Sequence, residues 1–373
     1  MIKTLALTRY GRLGPSSRVR FLQFLPGLAQ HGIQIDVLPL LDDVYLDATY
    51  RGAPIDKAAI IHSYAHRTRV LLQQKQYDLI WLEKEVFAWI PAFIESLVLG
   101  RTPYVVDLDD AWFLRYETHP RWFIRRLTGA KIDSVMKSAA TVVVGNGYLE
   151  DRALRAGARR VEVVPSAIDL DRYPPLLQEP PEDRPRPLVV GWVGTPFNVR
   201  YLTNLAPVLR QVTADGKVKL HIIGVPVPEE LSGVAAQSYD WSESTEVDRL
   251  RKFDVGIMPL ENTPWEQGKC GYKLLQVMAA GKAVVASPVG ANCQIVRDGI
   301  NGFLAESPEQ WLAAIDRLSS DPMLRFRMGR EGYGMVAETY SLDKILPRLA
   351  SILKQAAASH GAEYDERPIR LAQ

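Results

Sequence analysis

Two lysines four residues apart, Lys269 and Lys273, stand in the stretch PWEQGKCGYKLLQVMAAGKAVVASPVGAN, which runs from Pro264 to Asn292. A polar, glycine-broken loop carries both. A short helix of the type LLQVMAAG follows. Gly281 can stop it, because glycine tolerates the left-handed conformation that helix ends often need. AVVAS then reads as a buried strand and closes in a loop of small residues, SPVGAN, with Gly290, Ala291 and Asn292 at its end. Loop, helix, strand and loop in such close order can aim several backbone N–H groups and two ammonium groups at one point. That is a way to hold a diphosphate.

Three other groups of residues could do chemistry. Asp107, Asp109 and Asp110 close the run YVVDLDD. Carboxylates this close repel, and a metal, a polyhydroxylated ligand or simple helix capping would each offset the repulsion. Strand alternation puts Asp107 and Asp109 on one face and Asp110 on the other. No histidine lies near enough in sequence to complete a metal set, so no metal site is predicted. The loop GRLGPSSR (11–18) lacks the GxGxxG spacing. It is either a strand-to-helix turn or a turn that contacts phosphate or sugar through Gly14, Ser16 and Arg18, with Arg20 as a further anion partner. GWVGTPFN (191–198) gives a strand and a glycine-lined turn. There Gly194 lets a ligand approach the backbone, and Thr195 and Asn198 can bond a phosphate or cap a helix. Arg200 falls in the first turn of that helix, where the dipole disfavours a cation unless an anion is near.

Strand signals alternate with helical ones from the outset. TLALT, IQIDVLPL, DLIWLE, YVVDLDD, TVVVGN and VEVVP read as strands, separated by helical segments such as VRFLQFLPGLAQHG, which Pro26 should kink, and FAWIPAFIESLVL. The proline-rich stretch 174–187 cannot sustain a ladder and reads as a linker. The pattern then restarts with LVVGWVG, KLHIIG, DVGIMPL, AVVAS and GFLA. Near-continuous apolar strands separated by helices indicate parallel sheets covered on both faces. The expected organisation is an α/β pair of Rossmann-like, doubly wound domains facing across a cleft: 1–173, then 188–340, with a helix at 341–358 and a polar tail at 359–373. Ligands of such sheets bind at the carboxyl ends of strands.

Composition narrows the function. The chain has 373 residues, is 47% hydrophobic and 24% charged, and carries a net charge of +2. That balance suits two soluble domains and argues against a dedicated nucleic-acid binder. Two cysteines, Cys270 and Cys293, provide no disulfide framework and point to a cytoplasmic protein. No apolar run approaches the ~20 residues of a membrane span. The segment 112–137 interleaves Arg121, Arg125, Arg126, Lys131 and Lys137 with Trp112, Trp122 and Phe123. It is either a solvated basic face over an aromatic core contact or an amphipathic helix for peripheral contact with the inner face of a membrane. The six histidines are scattered, and neither a nucleophile elbow nor a Walker A sequence is present.

FDVGIMPL, GKCGYKLLQVMAAGKAVVASPVGAN and IVRDGINGFLA, taken in order, resemble the C-terminal half of the group 1 (family 4) retaining glycosyltransferases. GPSSRVR, GNGYLEDRALRAGARRVEVVPSAIDLDRY and GWVGT fit the same family in order, so the resemblance covers nearly the whole chain. It implies the GT-B architecture, with the donor nucleotide sugar held mainly by the second domain and the last helix crossing back to the first. It also implies metal-independent transfer of a sugar, with retention, from a nucleoside diphosphate to the hydroxyl of a carbohydrate, lipid-linked or other glycan acceptor, in polysaccharide or glycoconjugate synthesis and without a cofactor. The chain departs from the family pattern where two glutamates eight positions apart are usual: Gly268 and Gln276 stand there, and Thr195 replaces a phosphate-binding arginine. The expected donor contacts are therefore Gly194, Thr195, Arg200, Lys269, Lys273, Gln276, Gly290, Ala291 and Asn292. Lys273 offsets charge on the leaving diphosphate, and Asp109 or Asp110 positions hydroxyls. Loss of both glutamates also suits a degenerate sugar-nucleotide-binding or assembly subunit. A nucleotide-sugar epimerase is the remaining alternative.

Overall fold

The computed structural model describes residues 1–173 and 186–365. The chain divides into two compact units, one of Met1–Ser166 together with the C-terminal segment from Asp343, the other of Ala167–Leu342. The expected linker at 174–187 lies mostly outside the described residues. The division itself falls earlier, because Ile168 is tied to the far end of the second unit: its N–H donates to the Tyr340 carbonyl and its carbonyl accepts from the Leu342 N–H, both at 2.8 Å.

In the first unit the strands are β1 (Ile2–Thr8), β2 (Ile33–Pro39), β3 (Leu79–Glu83), β4 (Tyr104–Leu108), β5 (Thr141–Val144) and β6 (Val161–Val163). They form one parallel sheet in the order β2-β1-β3-β4-β5-β6. The second unit repeats the plan with β7 (Leu188–Val193), β8 (Val218–Ile223), β9 (Ala236–Tyr239), β10 (Val255–Met258), β11 (Ala283–Ala286) and β12 (Gly302–Leu304). Its order is β12-β11-β10-β7-β8-β9, again parallel. Strand order therefore reverses between β1 and β3 in one sheet and between β7 and β10 in the other. At such switch points the loops leave in opposite directions and open a crevice.

Alternation along the second sheet sorts its core into two layers. Leu188, Val190, Trp192, Val255, Ile257, Ala283 and Val285 pack on one face. Val189, Val193, Met258, Val284 and Ala286 pack on the other, with Leu274, Leu275, Val277 and Met278 of the helix Tyr272–Ala279. This helix sits low on its strand because β10 offers it Gly256, where a Cβ would lie 2.6 Å from Val277. The helix ends as expected at Gly281 (φ +71°). The later helix Pro322–Met335 packs directly on that turn.

Several boundaries differ from those read in the sequence. Pro26 does not kink a long helix. It sits at the start of a separate one, Leu25–Gln30, and the break falls at Phe21 after Pro15–Arg20. FAWIPAFIESLVL is helical only over Ala92–Leu99, since Pro91 sits at the N-cap and Trp89 is left-handed (φ +64°). The helices Asp43–Arg51 and the strand β9 carry little periodic signal and were not expected. The last helix extends to Asp365. Among the described residues no helix is long and apolar enough to cross a membrane.

Two glycines of the helix Pro322–Met335 test the packing on the Gly281 turn. A Cβ at Gly329 would lie 2.1 Å from the Gly281 carbonyl oxygen, whereas one at Gly334 meets nothing within 4 Å. Gly329→Ala should destabilise the protein by about 1–3 kcal/mol, because a backbone oxygen cannot step aside. Gly334→Ala should be neutral or stabilising by up to ~1 kcal/mol from helix propensity alone. Urea unfolding midpoints of the two variants against the parent separate these effects.

Candidate functional site

The crevice of the second sheet is built from the loops that follow β7 and β10. After β7 the chain passes Gly194 and Thr195 into the helix Val199–Asn204, which places Arg200 and Tyr201 in its first turn. After β10 it forms the single helical turn Pro264–Gln267, with Thr263 at the N-cap. Glu266 on that turn is completely buried. It accepts hydrogen bonds from the Tyr201 hydroxyl and from Thr263 Oγ1, and an ion pair from Arg200 Nη2 at 2.9 Å. Burial alone would raise the Glu266 carboxyl, but the bonds from Thr263, Tyr201 and Arg200 outweigh it and hold it below its ordinary value. Glu266 thus fastens the two loops of the crevice to each other. The sequence showed a glutamate near Gly268 but out of register. The signal that could have found it is the Thr-Pro-Trp-Glu string, an N-cap residue followed three positions later by an acid.

Cations gather around two aromatic rings. The Arg200 guanidinium carbon lies 4.8 Å and Lys269 Nζ 5.6 Å from the centre of the Tyr201 ring. Lys273 Nζ lies 5.1 Å from the centre of the Trp192 ring. Trp192 in turn covers Gly194, where a Cβ would come within 2.0 Å of the indole. Lys273 is the second residue of the helix Tyr272–Ala279, as Arg200 is of its own helix, and the dipole disfavours a cation at that place. Arg200 has a carboxylate in Glu266. Lys273 has no carboxylate partner among the described residues. Burial, with the neighbouring Lys269 adding repulsion, pushes its ammonium down to about 7. One turn further along the same helix, Gln276 is 2% exposed and its Nε2 has no hydrogen-bond partner.

The loop after β11 completes the set. Gly290 is left-handed (φ +54°), and a Cβ there would lie 2.7 Å from the Gln267 carbonyl oxygen, so only glycine lets this loop close against the Glu266 turn. The N–H groups of Gly290 and Ala291 meet no acceptor among the described residues. Asn292 behaves differently from Gly290 and Ala291. It is 1% exposed, its N–H is taken by the Val289 carbonyl (3.1 Å), and its side-chain Nδ2 donates to the Ser287 carbonyl (3.0 Å). Asn292 therefore shapes the loop from inside. Thr195 Oγ1 accepts from Asn198 Nδ2 at 3.2 Å, a brace within its own turn. Among the described residues, Arg200, Lys269 and Lys273 thus gather near the buried Glu266 carboxylate, with the Gln276 amide and the N–H groups of Gly290 and Ala291 left without an acceptor.

The first unit answers the question posed by its three aspartates. Asp107 is held by Arg20, with Oδ1 2.8 Å from Nε and Oδ2 3.0 Å from Nη2. Its carboxyl is pushed up to about 6 by burial, which Arg20 only partly offsets. Lys84 Nζ lies 2.9 Å from Asp109 and 3.7 Å from Asp110, and 3.3 Å from Ser16 Oγ. Two buried cations, Arg20 and Lys84, thus offset the repulsion. Strand β4 stops at Leu108, so alternation does not separate Asp109 from Asp110, and both meet Lys84. Burial alone would lower the Lys84 ammonium, but the aspartates outweigh it and raise it; Asp109 is correspondingly lowered. Lys84 adopts φ +65°, uncommon for a residue with a side chain.

Other expectations for this unit are corrected. In the loop 11–18, Gly14 is the N-cap of the helix Pro15–Arg20, and Ser17 is buried between the Tyr10 N–H and the Glu83 carboxylate. Arg18 and Arg20 are buried, Arg18 donating to the Arg12 carbonyl at 2.8 Å and Arg20 paired with Asp107, which removes them as exposed anion ligands. The segment 112–137 is not one amphipathic helix. Lys131 is buried in ion pairs with Glu85 (2.6 Å) and Glu95 (2.8 Å), and Trp112 donates to Glu85 at 2.8 Å.

With this geometry in hand, the architecture is that of the GT-B glycosyltransferases: two six-stranded parallel sheets, each doubly wound. The chain is similar to Anabaena HepE, solved in complex with UDP and glucose (TM-score 0.68, 16% identity, 95% of this chain and 100% of that one). It is likewise similar to a sucrose-phosphate synthase from Thermosynechococcus elongatus (TM-score 0.70, 14% identity, 96% and 100%). Within the chain, residues 184–321 match the family model described as Glycosyl transferases group 1. The D-inositol 3-phosphate glycosyltransferase of Geodermatophilus obscurus is 25% identical over 230 residues, 55% of this chain and 50% of that relative. The match thus spans about half the length of this curated relative.

Two substitutions test the electrostatics. The folded protein lowers Lys273 from 10.5 to about 7, so the unfolded chain binds the extra proton between those values. For this group, stability is least below pH 7 and rises toward pH 10.5. Lys273→Met should therefore raise the thermal midpoint of the unliganded protein near neutrality, by an amount that shrinks as pH rises; equal midpoints at all pH values contradict the assignment. Lys84→Met leaves Asp109 and Asp110 facing each other without their cation and should destabilise by about 3 kcal/mol or more. Lys84→Met/Asp109→Asn should recover part of that loss in chemical denaturation.

Proposed function

We propose that this protein is a glycosyltransferase that moves a sugar from a nucleoside-diphosphate donor to an acceptor hydroxyl, with retention at the anomeric carbon. The observation that carries the reading is Lys273: a half-buried ammonium without a carboxylate, next to a second lysine, at the helix N-terminus on the carboxyl side of a parallel sheet. A diphosphate removes that repulsion. The match of residues 184–321 to the model of Glycosyl transferases group 1 supports the reading, as do relatives named for glycosyl transfer and fold neighbours solved with UDP or UDP-glucose.

In this reading the bond from the anomeric carbon to the diphosphate oxygen breaks, and the acceptor oxygen bonds to the same carbon from the same face. The acceptor proton passes to the departing phosphate oxygen. Lys273, Lys269 and the N–H groups of Gly290 and Ala291 offset the charge that develops on the leaving group, which removes the need for a divalent cation. Arg200, anchored by Glu266, is a third cation beside them. Gln276 offers its unpaired amide to the ribose, where a carboxylate would accept only. In the first unit Asp109, Asp110 and Ser16 are the groups assigned to hydroxyl recognition. The products suit polysaccharide or glycoconjugate assembly in the cytoplasm.

Binding and turnover are tested together by calorimetry with UDP-, GDP-, ADP- and CMP-sugars, followed by release of the corresponding nucleotide with candidate acceptors. At least one donor should bind, and Lys273→Ala should weaken it by about 1.5–3 kcal/mol. Because the diphosphate raises Lys273 from about 7, affinity should be greatest below that value and fall as pH rises through it. A nucleotide sugar carries no phosphate group that titrates there, so a flat profile contradicts the role of Lys273. Unchanged turnover in EDTA and an anomeric configuration kept in the product, read by NMR, are the expected signs of metal-independent retention. Binding without turnover for every donor would favour a degenerate sugar-nucleotide-binding subunit.

A further inference from the structure

The helix Trp122–Thr128 carries its large apolar side chains outward. Trp122 is 67% exposed, Phe123 45% and Leu127 63%. The side-chain hydrogen bonds of this helix are made by other residues. Thr128 is buried and its hydroxyl donates to the Ile124 carbonyl (2.8 Å), so Ile124 and Thr128, one turn apart, form its inward edge. Arg125 Nη1 secures its start by donating to the His119 and Pro120 carbonyls at 2.6 and 3.1 Å. Folding of the unit therefore does not account for the tryptophan, the phenylalanine or the leucine. Their exposure on one short helix costs solubility with no return inside the molecule.

Charge identifies what covers them. From Thr118 to Ile132 the sequence contains Arg121, Arg125, Arg126 and Lys131 and neither aspartate nor glutamate. Lys131 is spent internally, while Arg121 and Arg126 are exposed and form no ion pair with any described residue. Aromatic and aliphatic side chains flanked by arginine, with no acid between, match the boundary of an anionic bilayer: the rings sit at headgroup level and the guanidinium groups meet phosphate. A soluble partner of ordinary composition would not ask for that one-sided charge. A nucleic acid would ask for a wider basic surface than a chain of net charge +2 provides.

We propose that the helix Trp122–Thr128, with Arg121, is a docking element for an anionic lipid surface: Trp122, Phe123 and Leu127 enter the interface while Arg121 and Arg126 face the headgroups. The contact is peripheral. It does not depend on the transfer reaction, and its failure would leave that reading untouched.

The test is co-sedimentation of the full chain with phosphatidylcholine vesicles, with and without about 30% phosphatidylglycerol, at low and high salt. Binding to the anionic vesicles, weakened by salt, is expected. Trp122→Ser/Phe123→Ser/Leu127→Ser should reduce it about tenfold or more. Arg121→Gln/Arg126→Gln should abolish the preference for anionic lipid. Both variants alter exposed side chains, and an unchanged melting curve confirms that each is folded. No vesicle binding, equal binding to neutral vesicles, or binding that survives both variants overturns the proposal. So does a lipid-free dimer in sedimentation velocity that the serine variant converts to monomer, because a second copy would then be the occupant.

Discussion

The second unit is organised around a charge that the protein does not neutralise. Desolvating an ammonium is costly, and proteins usually offset the cost with a carboxylate or let the group lose its proton. At Lys273 the chain does neither completely. It supplies the face of Trp192, sets Lys269 beside the ammonium, and places both at the positive end of a helix. An arrangement that disfavours the empty state favours an anion in equal measure, since binding restores what burial removed. Removing a local conflict by binding, and not by folding, is what distinguishes a site from a structural ion pair.

The first unit shows the contrasting solution. Asp107 faces Arg20, Asp109 and Asp110 face Lys84, and Glu85 accepts from Arg9, Lys131, Trp112 and Tyr116. Nearly every charge at the carboxyl ends of β3 and β4 thus has an internal partner. A network so fully paired is poorly suited to binding a highly charged ligand, but it holds oxygen atoms in fixed positions. Asp109 and Asp110 remain 15% and 25% exposed while their partner Lys84 is almost wholly covered. Fixed carboxylate oxygens reachable from solvent are suited to hydroxyl groups. The two sheets therefore treat charge differently: the second leaves Lys273 without a carboxylate among the described residues, and the first braces its carboxylates against Arg20 and Lys84.

The parallel α/β organisation and the loop, helix and strand of residues 264–292 could be read from sequence because buried parallel strands and glycine-punctuated turns have strong local signatures. Gly281 and Gly290 are examples: each takes a positive φ where a helix ends or a loop closes. Interactions that depend on distant residues could not be read. Glu266 matters because Tyr201 and Arg200, more than sixty positions away, meet it at a switch point. Lys84 matters because β3 and β4 are neighbours. Arg18 and Arg20 looked like free cations because a sequence does not say which arginines find a carbonyl or an aspartate inside the fold. The basic aromatic segment failed for the same reason. Lys131 and Trp112 turn inward to Glu85 and Glu95, and only the middle of the segment stays at the surface.

The missing glutamates take on a different meaning in this setting. Position 276 is one turn from Lys273 on the same helix, so a carboxylate there would be within reach of the ammonium and would oppose its charge. Glutamine keeps the hydrogen-bonding shape and removes that competitor, leaving the lysine to the ligand. Gly268 likewise adds no acid to the turn that carries Lys269. The remaining acid of the region, Glu266, is turned into the protein and committed to Thr263, Tyr201 and Arg200. It steadies a cation without occupying the space in front of it. With Gly268 and Gln276 at these positions, the turn and the helix add no acid to the crevice beyond Glu266. In the proposed transfer, where charge accumulates on a departing diphosphate, that charge balance would change how the leaving group is held.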